Sequence, residues 1–197
     1  MLVALSFSRK PASFGNSTML KPAYAATQVV TPLRLSAKAG VSLNAIAEIL
    51  TPADIILGLD VQTKKRALEF IARFVGPRHG LLDGEVYAKL SEREAIGSTA
   101  LGCGVAVPHA RVKGLSGPVA AFVRMKNPIP FDAPDGKPVR DIFVLLVPQH
   151  ATETHLLLLA QVAEMFCDKS FREGLRACTQ AAEIHAAFTQ WRQRQTT

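Results

Sequence analysis

Two histidines and one arginine hold the chemistry this chain could perform. His109 lies in the stretch LSEREAIGSTALGCGVAVPHAR, residues 90–111, between Pro108 and Ala110. The same stretch carries Arg93, the polar segment Gly97-Ser98-Thr99, and Gly102 and Gly104 on either side of Cys103. His155 opens a second segment, THLLLLAQVAEMF. A neutral imidazole nitrogen is a good nucleophile at pH 7 when the other ring nitrogen is held as an N–H donor. A guanidinium, a second imidazole, two hydroxyls and glycine-exposed amides would then meet the charge on transferring oxygens. Brought together, these groups suit a phosphoryl group on His109, with Arg93 and His155 beside it and Ser98, Thr99 and Gly104 as further phosphate contacts. No Walker-type loop occurs, so the phosphate would come from another phosphorylated protein.

Each residue also has a plainer reading. His109 could cap a strand end by bonding to backbone, Arg93 could be a surface charge, and His155 could cap a helix. Cys103 with His109 could form a thiol or metal hydrolase site. No CxxC or Cys/His cluster has metal-ligand spacing, however, so no metal and no cofactor is expected. His79, His150 and His185 are expected on the surface or in loops.

The elements that must position these groups follow from pattern. From Val41 on, LNAIAEIL has helical spacing up to Thr51-Pro52, and DIILGLD has strand composition. Thr63 is placed to cap a helix KKRALEFIARFV that Gly76-Pro77 would end. A further helix, residues 83–93, would start on Asp83 and turn Val86, Tyr87 and Leu90 inward. Val105-Ala106-Val107 should be a short strand that stops at the rigid corner of Pro108, with His109 just past it. VAAFVRM predicts a strand. The four prolines of NPIPFDAPDGKPV predict an irregular arm with a turn at Asp135-Gly136. IFVLLVP is apolar throughout, as in a strand covered on both faces. The helix over residues 153–167 is so apolar that most of its circumference should be buried. Two last helices, residues 170–177 and 181–192, should pack through Phe171, Leu175, Ile184, Phe188 and Trp191. Strands interleaved with helices predict an α/β fold, a single domain with a small mixed β-sheet sandwiched by helices.

Charge tests the nucleic-acid alternative. The net charge of +7 is concentrated before Glu48, where five basic residues and no acidic one occur. The rest of the chain holds 18 basic and 16 acidic residues, too balanced for a phosphate-backbone surface, so no nucleic acid is expected as a partner. Residues 1–42, rich in Ser, Ala, Thr and Pro, predict a disordered or loosely attached basic extension, with residues 43–197 as the domain. The extension also has the composition of an organellar transit peptide, and a translation start set upstream would equally account for it. No run is apolar enough to span a membrane. Three unpatterned cysteines point to a reducing, cytoplasmic compartment.

Three segments, LSEREAIGSTALGCGVAVPHAR, FVRMKNPIPFDAPDGKPVRDIFVLLVP and ATETHLLLLAQVAEMF, resemble in order and spacing the enzyme IIA domains of the fructose–mannitol class of the bacterial phosphotransferase system. The closer likeness is to the nitrogen-regulatory branch. The resemblance covers residues 43 to 194. It implies that His109 is the phosphorylated histidine, carrying phosphate on Nε2, and that Arg93 and His155 stabilise it. It implies a mixed sheet flanked by helices, and a histidine phosphocarrier protein as donor, NPr in the nitrogen branch or HPr in the sugar branch. Two outputs follow from it. In one, phosphorylation switches binding to partners such as a potassium transporter or a sensor kinase. In the other, phosphate passes to the IIB domain of a sugar permease. FDAPDGKPV before the apolar strand, and no attached IIB or IIC domain, favour the first.

Overall fold

The computed structural model describes residues 44–150 and 153–192. The basic extension expected over residues 1–42 lies outside them. The elements in chain order are α1 (Ala45–Ile49), a 3-10 turn (Pro52–Asp54), β1 (Ile55–Leu59), α2 (Lys64–Arg78), α3 (Asp83–Ile96), β2 (Ala100–Gly102), β3 (Val105–Ala106), β4 (His109–Val112), β5 (Val119–Ile129), β6 (Val139–Pro148), α4 (Glu153–Cys167), α5 (Lys169–Ala177) and α6 (Ala181–Gln190).

One mixed six-stranded sheet runs β1-β5-β6-β3-β2, with β4 also paired to β6. Strand β6 is the centre, antiparallel to β5 and parallel to β3 and β4. Its side chains alternate between two cores, as the period of a strand requires. Ile142, Val144 and Leu146 face α2 and α3 through Leu68, Ile71, Val75, Val86 and Leu90. Phe143, Leu145 and Val147 face α1, α4, α5 and α6 through Ile46, Val162, Met165, Leu175 and Ile184. The second core is dominated by aromatic contacts, with Phe188 5.2 to 6.1 Å from Phe122, Phe143, Phe166 and Phe171. The expected sandwich of helices around a mixed sheet is therefore the architecture of the domain.

Several local expectations are revised. Helix α2 starts on Thr63, whose side chain accepts the Arg66 N–H, but it passes through Gly76-Pro77 to Arg78. Pro77 lies in the last turn, so the one i→i−4 bond it cannot donate, to the Arg73 carbonyl, is lost at the end of the helix and not in its middle. The stop is Gly80 at φ +69°, with Leu81 N–H on the Gly76 carbonyl and Gly80 N–H on that of Pro77, a Schellman end. Gly76 serves a different purpose. A Cβ there would sit 3.1 Å from Asp83 Cα and 3.2 Å from the Leu81 carbonyl oxygen, so the glycine lets the start of α3 approach α2. Gly76→Ala should therefore cost about 1–3 kcal/mol in urea denaturation while leaving the chemistry at His109 unchanged. Helix α3 is capped by the Leu82 backbone position, not by Asp83, and it runs on to Ile96.

Strand β5 continues through Pro128 to Ile129, with an irregularity in its register between Arg124 and Ile129. Lys126, Asn127 and Pro128 are exposed there, so the missing proline N–H removes no ladder bond from the sheet interior. The Asp135-Gly136 turn is present, with Gly136 N–H on the Ala133 carbonyl. Helix α4 buries His155, Leu158, Val162, Met165 and Phe166 but leaves Leu156 61% and Leu157 42% exposed. Its burial is thus one-sided, because one sheet face with α1, α5 and α6 covers it and nothing among the described residues covers the opposite stripe.

Candidate active site

Strands β3 and β4 are two parts of one path along β6. The same offset of 36 positions pairs Val105 with Asp141, Ala106 with Ile142 and His109 with Leu145. Pro108 does not turn the chain away, as the sequence suggested. Its carbonyl accepts the Leu145 N–H at 3.0 Å, so the proline uses the one backbone group it retains to stay on the ladder. His109 is consequently the first residue of β4, held on one side by the central strand β6.

That placement puts His109 between the two helical layers. From α3, Arg93 Nε donates to His109 Nε2 at 3.1 Å, and Arg93 Nη1 donates to the Gly97 carbonyl at 3.0 Å. From α4, the His155 ring lies 5.5 Å from that of His109, centroid to centroid, with the planes at 64°. His109 Nδ1 donates to the Val107 carbonyl at 2.8 Å. A carbonyl only accepts, so Nδ1 carries the hydrogen and Nε2 keeps its lone pair. The Arg93 contact agrees with this, because a guanidinium only donates.

Both imidazoles are held toward the neutral form. Burial lowers the His109 pKa below the usual 6.5; the Val107 carbonyl opposes this, the Arg93 charge adds to it, and Glu94 opposes it weakly. Burial also lowers that of His155, reinforced by His109, Arg111 and Arg93. The His155 residue is only 7% exposed, and among the described residues its buried Nδ1 has no hydrogen-bond partner. In an NMR titration, the His109 ring should protonate below pH 6.5. Because the unfolded chain takes up that proton first, stability should be level above about pH 7 and fall as the pH drops through 6.5 toward the folded-state value.

Two clefts open on His109. One of about 590 Å³ is lined by Lys89, Arg93, Arg111, Lys113 and His155 among others. The other, of about 250 Å³, is lined by Ser98, Thr99, Leu101 and Leu159 with Arg93 and His109. Ser98 and Thr99 are thus brought to the site, but their hydroxyls are already engaged. Ser98 Oγ donates to the Phe131 carbonyl at 2.6 Å, and Thr99 Oγ1 donates to Glu94 Oε2 at 2.6 Å. Gly104 lines neither cleft. It sits in the β2–β3 turn with Gly102 and Cys103, all at positive φ, and its carbonyl accepts the Arg140 and Asp141 N–H groups. The glycines there allow a tight turn instead of baring amides to His109. Cys103 and Gly104 line a separate cleft that His109 does not reach, so the thiol–histidine pairing has no geometric basis. Among the described residues no group of three His, Cys, Asp or Glu side chains could hold a metal ion.

Glu94 is the residue that sequence reasoning missed. Buried beneath Arg93, it also accepts the Thr99 N–H at 3.1 Å and Lys64 Nζ at 3.0 Å. It thereby ties the end of α3 to β2 and α2. The signal was its spacing, since Val86, Leu90 and Glu94 fall four apart on the buried face of α3. Arg111, two residues after His109 on the same strand, was overlooked as well.

What this constellation can do chemically is present a neutral Nε2 lone pair amid fixed positive charge, which fits phosphoryl acceptance. Comparison with known proteins gives the family. Residues 48–191 match the family described as phosphoenolpyruvate-dependent sugar phosphotransferase system, EIIA 2. A nitrogen regulatory protein of Pseudomonas aeruginosa is 40% identical over 141 residues, 71% of this chain and 92% of that protein. The crystal structure of nitrogen regulatory protein IIA-Ntr from Neisseria meningitidis superposes with a TM-score of 0.70 at 43% identity, covering 73% of this chain and 98% of that one. The crystal structure of IIA mannitol from Escherichia coli shares the fold, with a TM-score of 0.59 at 21% identity over 71% of this chain and 98% of that one. On the family match and the length shared with these relatives, the chain belongs to the EIIA type 2 family of the phosphoenolpyruvate-dependent phosphotransferase system.

Proposed function

We propose that His109 Nε2 accepts a phosphoryl group from a phosphorylated histidine phosphocarrier protein, NPr of the nitrogen branch, and that the phosphorylation state controls which partner proteins bind. The observation that carries this reading is the pair of bonds on one ring: Val107 fixes the hydrogen on Nδ1, and Arg93 marks the Nε2 lone pair. In the transfer, that lone pair attacks phosphorus as the donor's P–N bond breaks. Arg93 must first release Nε2, and its N–H groups then meet a phosphoryl oxygen. Arg111 and Lys113 add positive charge at the cleft, and His155 supplies a ring N–H. The incoming negative charge raises both histidine pKa values, so His155 can protonate against the phosphate. Ser98 and Thr99 shape the rim.

A protein donor needs a surface to dock on. Ile96 is 84% and Leu101 44% exposed, each lining a cleft at His109, and Leu156 and Leu157 follow His155 on α4. Large apolar side chains left exposed around a reactive group suit a partner interface. Ile96→Asp with Leu156→Asp should lower the second-order rate of phosphate acceptance about tenfold or more with little change in melting temperature.

The regulatory output is supported by the nitrogen regulatory relatives at 40% identity and above. The partners would be proteins such as a potassium transporter or a sensor kinase, in the cytoplasm where the donor works. Among the described residues no helix is long and apolar enough to cross a membrane. The test is to incubate the protein with phosphoenolpyruvate, enzyme I and NPr and look for an acid-labile gain of about 80 Da on His109. HPr in place of NPr, followed by a IIB domain as acceptor, tests the sugar-transport alternative. Failure with both carriers removes the phosphocarrier role of His109.

A further inference from the structure

A third cleft, of about 420 Å³, lies where the β2–β3 turn, the start of β6 and helix α5 meet. It shares no lining residue with the two clefts at His109. Five cations line it: Lys137, Arg140, Lys169, Arg172 and Arg176. Only two acids do, and both are engaged. Asp141 receives Arg124 Nε at 2.7 Å, and Glu173 Oε1 lies 3.7 Å from Lys169 Nζ. Asp135, just outside, accepts the Cys103 and Lys137 N–H groups.

The cations differ in how they are held. Arg176 donates to the Cys103 carbonyl at 3.0 Å and Arg172 to that of Phe166, which fixes both guanidinium groups while leaving further N–H donors on each. Lys137 and Arg140 are exposed, and among the described residues their side chains make no hydrogen bond or ion pair. The N-terminal amides of α5 play no part, because Asp168 already accepts those of Ser170 and Phe171. Two anchored arginines with Lys137 and Arg140, whose side chains make no hydrogen bond among the described residues, around one cleft make an electrostatic trap for anions. We propose that this cleft binds a small molecule carrying two or more phosphate groups. The lining has an excess of three positive charges, which a single carboxylate leaves largely uncompensated. Two phosphate groups, at about −1.5 to −2 each, match it. The volume is in the range of small-ligand pockets.

The test uses the full chain titrated calorimetrically with ADP, inorganic tripolyphosphate and citrate. Alkylation of Cys103 by iodoacetamide, followed by peptide mass spectrometry, reports on the cleft wall. ADP and tripolyphosphate should bind saturably and slow the labelling of Cys103. Lys137→Ala/Arg140→Ala should weaken both effects about tenfold or more, since charge-assisted contacts are lost. An Arg93→Ala/His109→Ala variant, lacking the other phosphate-attracting site, should bind as the parent does. Tighter binding of ADP than of tripolyphosphate would add a contact to the nucleoside; equal affinities would mean that phosphate alone is read. The proposal is overturned if neither phosphate probe binds at about 1 mM. Binding that survives Lys137→Ala/Arg140→Ala but is lost in Arg93→Ala/His109→Ala also overturns it, and so does citrate binding as tightly as the phosphates.

Discussion

His109→Ala is expected to abolish the acid-labile phosphorylation completely, while Arg93→Ala lowers its rate about 100-fold. The difference lies in the roles. Alanine at 109 removes the nitrogen proposed to form the P–N bond, whereas alanine at 93 removes one donor to the oxygens and leaves the nucleophile. Both variants should melt like the parent protein, since both side chains are only partly buried and lie outside the two cores. The pH profile separates the two variants further. Arg93 contributes to the lowered His109 pKa, although burial is the larger cause. Arg93→Ala should therefore move the protonation of His109 partway back toward 6.5, measured by NMR titration of the ring. An unmoved titration with an unchanged transfer rate would sink the assigned role of Arg93.

Asp141→Ala should have the largest effect on stability, about 3–5 kcal/mol in urea denaturation. Arg124 and Asp141 pair across β5 and β6 with side chains 6% and 8% exposed. Arg124 also donates to the Leu175 and Cys178 carbonyls at 2.8 and 2.7 Å, so it joins the sheet to the end of α5. Without Asp141 the guanidinium keeps two carbonyl partners but loses its counter-charge in an interior where water cannot replace it. A domain of this size has about 5–15 kcal/mol in total, so the variant should be marginal near body temperature. Asp141→Asn, which keeps the shape and an accepting oxygen, should recover part of the loss. A cost below about 1 kcal/mol for Asp141→Ala would show that solvent reaches Arg124.

Most elements were legible because their signals are local. Thr63 before KKRALEF, the apolar run of β6 and the helical spacing of Phe171 and Leu175 each state a preference that the sheet then satisfies. The misreadings came where a local signal was outweighed by a contact distant in sequence. Gly76-Pro77 reads as a helix end, but its glycine answers to the approach of Asp83. Pro128 reads as a strand breaker, but it stands at an exposed irregular stretch where no ladder N–H is needed. The leucines of α4 read as buried over most of the helix circumference, but Leu156 and Leu157 are exposed.

By itself the sequence determined the order of elements, the α/β class and the residue types able to carry phosphate, because propensity, capping and hydrophobic period act within a few residues of chain. The tertiary structure alone decided which of those residues meet. Parallel pairing of β3 and β4 along β6 sets His109 at a sheet position flanked by α3 and α4, and that brings Arg93 and His155 to its two sides. The same pairing turns Gly104 and Cys103 into a separate cleft among cations from β6 and α5. Burial then sets the charge state of the imidazoles, since desolvation depends on everything packed around a ring and not on its neighbours in the chain.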